Sequence, residues 1–283
     1  MNKLSREDRA RILHLLCEGN SIRAATRLTG ASKKAVSRLM VDAGQAAGWY
    51  QDRVFRNLTC KRVQVDEIWA FVYAKQKNVA TAKKAPANAG DIWTWTAIDA
   101  DTKLIPSWFV GGRDSDAAII FMDDLASRLT NRVQLTSDGH KAYLEAVEGA
   151  FGADIDYAML IKTYGEAPES SKGRYSPAEC TGCCKHRIEG TPDPKHVSTS
   201  FAERQNLNVR MHTRRFTRLT NGFSKKIENH AHSVALFALY YNFVRIHQTL
   251  RTTPAMAAGV TKGLWEMGDI VDVLEAWETS EIR

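Results

Sequence analysis

The sequence predicts an α/β protein: a mixed five-stranded sheet with flanking helices, preceded by a small all-α unit. Three observations predict it. Short helical periods separated by glycine turns fill the first 48 residues. From residue 61 the pattern changes to runs rich in β-branched and aromatic residues, as strands require. After residue 112 such runs alternate with amphipathic helices, the pattern that builds parallel pairs.

In the first region, Leu4, Ile12, Leu13 and Leu16 share a helical face, and Ser5 followed by Asp8 has capping-box spacing. Gly19-Asn20 ends that helix. Residues 21–28 read as a second short helix with Ile22, Ala25 and Leu28 inward, and Thr29-Gly30-Ala31 as a turn. Ser32 then caps a third helix with Val36, Leu39 and Met40 toward the core. Lys33, Lys34, Ser37 and Arg38 are left on its outward amino-terminal end, where a helix-turn-helix presents groups to the major groove. The same helices could form a bundle for protein contact. Residues 1–48 are therefore expected to be a helix-turn-helix DNA-binding domain, with a link at Gly44 to Gly48 and a connector over 49–60.

Residues 61–73 (KRVQVDEIWAFVY) read as a central strand, apolar on both faces yet carrying Asp66 and Glu67. A charge there is costly unless paired or metal-bound, and Arg62 or Lys61 could supply a pair. Successive strand residues face opposite ways, so only one of the two acids is expected at any one site. Residues 74–90 read as a loop, 91–100 and 103–112 as two further strands, and 114–130 as a helix capped by Asp114 or Ser115. Its expected apolar face is Ile119, Ile120, Met122, Leu125 and Leu129. VQLTS (133–137) is a short strand ending at Asp138-Gly139, before another helix. An acid at the carboxyl end of such a strand stands where open α/β sheets place ligand chemistry, although Asp is also a common helix cap. Residues 154–164 give the fifth strand. Three strands, helix, strand, helix, strand, helix is the order of a ribonuclease-H-like sheet.

Residues 165–197 interrupt this order with prolines, glycines and charges, and read as a surface insertion. Cys180, Cys183, Cys184 and His186 give half of a zinc pattern; without the other ligands, zinc at Cys180/Cys183 is not expected. Residues 261–283, with six acids and Trp265 and Trp277, read as an acidic helix or tail.

Composition narrows the partners. Of net charge +7, residues 1–56 carry 11 basic against 5 acidic groups, and residues 198–230 carry 7 against 2. Clustered cations favour a polyanion, because binding phosphates releases their counterions; a solvated basic surface fits the charge equally well. No run approaches the ~20 apolar residues of a membrane span, no signal peptide opens the chain, and five cysteines make no disulfide framework. The expected location is the cytoplasm, on DNA, with no membrane partner.

The stretch STSFAERQNLNVRMHTRRFTR (198–218) then stands out, with Glu203 among Arg204, Arg210, Arg214, Arg215 and Arg218. Asp66 in a first strand, Asp138 after a fourth and Glu203 on a later helix resemble the Asp-Asp-Glu (DDE) triad of transposases and integrases. The run 196–230 resembles the glutamate region of bacterial insertion-sequence transposases, and YNFVRIHQTLRTTPAMAAG (241–259) the block that ends the integrase core. Over residues 4–260 the chain is most similar to the insertion-sequence-one (IS-one) family. The resemblance implies a catalytic domain over 61–260, with the insertion 165–197 widening the interval between Asp138 and Glu203. It implies Asp66, Asp138 and Glu203 as ligands of two Mg²⁺ or Mn²⁺ ions, with Asp66 chosen over Glu67. It also implies a DNA transposase that binds terminal inverted repeats, cleaves and transfers strands, and works as at least a dimer. Rival readings are a catalytically silent DNA-binding regulator and a structure-specific nuclease of the same fold. On a continuous helix, Arg210 and Arg214 would lie on Glu203's face, and with Arg215 are expected to hold DNA phosphates.

Overall fold

Ser5, Ser21 and Ser32 each accept a hydrogen bond from an amide three residues on, those of Asp8, Ala24 and Ala35, at 3.0–3.1 Å. They open α1 (Arg6–Cys17), α2 (Ile22–Thr29) and α3 (Lys33–Val54). The computed structural model describes residues 4–165, 180–217 and 220–281. Pro168 and Pro177 of the insertion, and Arg218 of the basic stretch, lie outside the described residues. Gly30 turns α2 into α3 at φ +74°. Ala25 is buried as expected, but Leu28 is exposed.

The sequence suggests a link at Gly44 to Gly48, yet α3 runs through it to Val54. Ala43, Gly44, Ala46 and Ala47 are buried, and α3 packs there on α7 (Ile227–Phe243). A Cβ on Gly44 would lie 2.3 Å from the His232 carbonyl oxygen, so glycine is what permits the approach. A glycine costs an isolated helix ~1 kcal/mol relative to alanine, a penalty visible in sequence, whereas the packing that offsets it is not. The acidic carboxyl end forms α9 (Met267–Glu281), which buries Ile270, Val271 and Leu274. Arg6 bonds Asp272 at 2.8 and 2.9 Å, and buried Arg9 lies 3.5 Å from both Glu275 and Glu278. Part of the amino-terminal positive charge is thus spoken for within the chain.

Among the described residues the sheet has six strands, not five: β1 (Arg62–Val72), β2 (Gly90–Asp99), β3 (Trp108–Gly111), β4 (Val133–Ser137), β5 (Ile155–Tyr164) and β6 (Cys180–Glu189), in the order 3-2-1-4-5-6. β1 pairs antiparallel with β2 and parallel with β4; β5 pairs parallel with β4 and antiparallel with β6. β6 is the segment that reads as insertion. Its residues are nearly all exposed, Cys180, Cys183 and Cys184 included, so the backbone ladder to β5 holds it and no apolar alternation marks it. β3 is shorter than the expected 103–112. Lys103 turns the chain at φ +61°, and the Asn242 side chain both accepts from Ile105 N and donates to its carbonyl, at 2.9 and 3.0 Å. A side chain from α7 thus satisfies Ile105, between the backbone bonds of Ala97 N to Ser107 O and Asp99 N to Leu104 O.

One face of the sheet carries α4 (Ser115–Arg128), capped by Asp114, and α5 (Ala142–Phe151), with Trp95 against Phe121 and Tyr143. α4 turns Ala118, Phe121, Met122 and Leu125 inward and leaves Ile120 exposed, shifting the expected apolar face. The other face carries α6 (Ser200–His212) and α7, with Ile68, Val209, Val234 and Phe237 in one cluster. A short α8 (Pro254–Ala257) precedes α9.

Candidate metal centre

β1 pairs with β4 only through Arg62, Val63 and Gln64, and β4 ends at Ser137. Asp66 and Glu67 therefore stand beside the point where the chain leaves β4, at Asp138. One carboxylate oxygen from each of Asp66, Glu67 and Asp138 lies within 4.8 Å of the others. This corrects the expectation that only one of the two β1 acids reaches the site. The pair does face opposite ways: Asp66 lies opposite Thr96 on the α6 side, and Glu67 opposite Trp95 on the α4–α5 side. With β4 ended, no strand separates the two faces, and the longer Glu67 side chain comes within range of Asp138. Nor does Asp138 cap α5. Its Oδ1 accepts from His140 N at 2.9 Å, and the capping position of α5 is Lys141.

Glu203 lines the same cleft, outside the group of three acids whose oxygens lie within 4.8 Å of one another, because β1 fixes α6 at two points. Gln64 Oε1 accepts from the amides of Phe201 and Ala202 at 2.8 and 3.2 Å, satisfying two free donors of the first helical turn. Asn206 Nδ2, one turn further, donates to Asp66 Oδ2 at 2.6 Å. Glu203 lies between these two fixings. Thr199 Oγ1 donates to its Oε1 at 2.5 Å, and Lys162 on β5 pairs with the same oxygen. The result is an open cleft of about 450 Å³ whose walls include Asp66, Asp138, Glu203, Arg113, Lys162 and His140.

Removal from water pushes the Asp66 carboxyl up to about 6, and the neighbouring charges of Asp138 and Glu203 add to the effect. Burial raises Glu67 further, to about 7, with Asp138 again contributing. Arg113 is its counter-charge at 3.4 Å. Glu67 Oε1 and the Tyr143 hydroxyl are both buried without a well-formed hydrogen bond, yet they are near enough for each to bear on the other's ionisation. Clustered, desolvated carboxylates with an unsatisfied oxygen are what a hard divalent cation relieves, since Mg²⁺ and Mn²⁺ prefer oxygen ligands. The donor set fits such an ion.

A stability prediction follows. Carboxyls whose folded values are raised favour folding while protonated, fully so below their unfolded values near pH 4. That contribution is lost as pH rises through about 6 and 7. At pH 8 without metal the centre is strained by its own charge. Saturating Mn²⁺ should then raise Tm by about 5 °C, and the rise should shrink at pH 5, where protons compete. Asp66→Asn should remove the metal response. An equal Mn²⁺ response at both pH values would contradict this account.

The remaining expected residues are dispersed. Lys33, Lys34 and Arg38 are exposed at the start of α3, with Ser37 half-buried and Arg38 3.6 Å from Asp42. Arg210 is half-buried on α6. α6 stops at His212, so Arg214 does not continue Glu203's stripe; it begins a separate 3₁₀ turn, Arg214–Phe216. Arg215 in that turn donates to Ser224 Oγ at 2.8 Å. Nothing in the sequence pattern marks Gln64, Arg113 or Lys162 as functional, beyond the period-two spacing that sets Gln64, Asp66 and Ile68 on one strand face, and the alternation of strand faces excludes Glu67.

No protein-family model matches the chain, and no curated protein matches it. Among solved structures it is similar to a piggyBac transposase synaptic complex with hairpin DNA, at 8% identity and a TM-score of 0.41, over 97% of this chain and 72% of that one. It is also similar to the Mos1 transposase paired-end complex with left transposon end, at 15% identity and a TM-score of 0.22, over 53% of this chain and 58% of the other. At these scores neither fixes the fold or the function.

Proposed function

We propose that this chain is a metal-dependent DNA transposase of the DDE type, with Asp66, Asp138 and Glu203 as its metal ligands. One observation carries the reading. Three acids from β1, the end of β4 and α6, separated by long stretches of chain, line one open cleft. The resemblance of the Glu203 region and of residues 241–259 to insertion-sequence transposases points the same way.

Asp66, Asp138 and Glu203 would hold Mg²⁺ or Mn²⁺, with Glu67 close enough to take part. Such ions, once bound, would supply the charge that activates an attacking oxygen and stabilises the leaving one in phosphoryl transfer. Gln64 and Asn206 orient the acids before substrate arrives. Arg113 and Lys162 bring positive charge to the same cleft for the phosphates of a DNA strand. The cycle proposed is hydrolytic nicking at an element end, then attack of the freed 3′-hydroxyl on target DNA. Joining two ends implies at least a dimer.

Lys33, Lys34, Ser37 and Arg38 are proposed to contact the terminal repeat in the major groove. Replacing Lys34 and Arg38 together by Ala should cut discrimination between repeat and random duplex by ~1–3 kcal/mol for each base pair that these side chains read. Competition binding at fixed salt measures it, and unchanged discrimination would remove α3 from repeat recognition.

The function is tested with labelled duplexes from DNA flanking the gene, incubated with Mg²⁺ and a target plasmid. Cleavage at the element end and joined products are expected. Tight binding without cleavage would favour a silent regulator. Cutting of branched DNA without preference for the repeat would favour a structure-specific nuclease.

A further inference from the structure

A second cleft, of about 560 Å³, opens between the amino-terminal helices and the segment joining α6 to α7. Five cations line it: Arg23 and Lys33 from α2 and α3, and Arg214, Arg215 and Lys225 from the other wall. Among the described residues no Asp or Glu lines it. So one-sided a lining is unusual for a concave surface, where like charges repel in poorly solvated space. Neutral donors fill the intervals, Asn20, Asn221 and Asn229 among them. The first turn of α2, from Ser21 to Arg23, also faces the cleft, bringing free amide N–H groups at the positive end of a helix.

A buried hydroxyl and a half-buried guanidinium lack the partner such a site would supply. Thr213, on the wall, is 3% exposed, and its hydroxyl has no hydrogen-bond partner among the described residues. Arg215 donates to Ser224 Oγ, has no ion pair among the described residues, and is lowered to about 10 by burial. The walls are fixed, not incidental. Gly19 at φ +76° lets the α1–α2 turn meet the end of α6, where a Cβ would lie 2.4 Å from the Met211 carbonyl oxygen.

We infer that this cleft is a phosphate-binding site that seats the backbone of a nucleic-acid strand between α2–α3 and a wall formed by residues 213–215 and 220–225, apart from the carboxylate cleft. Arg214 and Arg215 thereby serve this cleft rather than the metal centre. The phosphate chemistry goes beyond the proposed reaction; only the choice of DNA as its source rests on that reading.

The test uses the full chain, without divalent metal, and an arbitrary 20-base-pair duplex followed by fluorescence anisotropy from 50 to 200 mM salt. Arg214→Gln/Lys225→Gln should lower the log–log salt slope by about 1.8, at ~0.9 for each phosphate no longer neutralised, and weaken binding ~10-fold at 100 mM salt. Lys262→Gln, an exposed cation elsewhere, should leave the slope in place. In parallel, inorganic phosphate and pyrophosphate are titrated in thermal melts. A reduced slope with no phosphate response supports a DNA strand as occupant. A phosphate-induced rise in Tm that the double variant loses, with an unchanged slope, supports the same site with a free phosphate ligand. A wild-type slope together with no phosphate response overturns the inference. If the double variant melts early, Arg23→Gln on the opposite wall is read by the same slope, with ~0.9 expected and no change contradicting. Because no cleavage is measured, a chain that binds in this way but never cuts DNA would refute the transposase reading and leave the cleft intact.

Discussion

Asp66→Asn, Asp138→Asn and Glu203→Gln should each reduce strand cleavage in Mg²⁺ by at least ~10³-fold and leave binding to the element end within about twofold. Each change keeps the shape of the side chain and removes a charge that a divalent ion needs, while the amino-terminal helices that are proposed to bind the end stay untouched. Asp66→Asn also alters the acceptor for Asn206, so its Tm should be recorded alongside. Glu67→Gln separates two accounts of the centre. Were Glu67 only turned to the other face, the change would be nearly silent. Its carboxylate lies within 4.8 Å of those of Asp66 and Asp138, so an intermediate loss of about tenfold is expected, partly restored by Mn²⁺. Full activity in any of the three triad variants would remove that residue from the metal site.

Gly44→Val should destabilise the whole chain by ~3 kcal/mol or more, about 6 °C in Tm. The added Cβ meets the backbone of His232 at 2.3 Å, and backbone cannot swing aside as a side chain does. Gly48→Ala is the counterpart: a Cβ there meets nothing within 4 Å, and the residue is inside α3. It should stabilise by up to ~1 kcal/mol. Opposite signs at two glycines one helical turn apart would come from a continuous helix that α7 touches at Gly44 and not at Gly48. Two neutral changes, as in a flexible link, would contradict the α3–α7 seam.

Much of this was legible because local chemistry and global packing agree. Asp114 is followed by an apolar period, and it caps α4. VQLTS is β-prone and closed by Asp138-Gly139, and it is β4. Where the reading failed, the deciding partner lies far along the chain. Gly44 signals a break until α7 is set against it. Cys180–Glu189 carries no strand pattern, since an exposed edge strand is held by its neighbour's backbone. Arg214 extends a helical stripe in sequence, whereas the chain turns at Thr213 to run beside the amino-terminal helices. Glu67 was set aside by a correct rule about strand faces, applied where the neighbouring strand has already ended.

The central claim is that metal ions held by Asp66, Asp138 and Glu203 contact the phosphate that is cut. The direct measurement replaces one non-bridging oxygen of that phosphate by sulfur and compares cleavage rates in Mg²⁺ and Mn²⁺. Sulfur binds Mg²⁺ poorly and the softer Mn²⁺ better. The account predicts that one sulfur diastereomer is cut at least ~10-fold more slowly in Mg²⁺ and recovers most of its rate in Mn²⁺. Equal rates for oxygen and both sulfur substrates in Mg²⁺, under conditions where cleavage itself is rate-limiting, would contradict it.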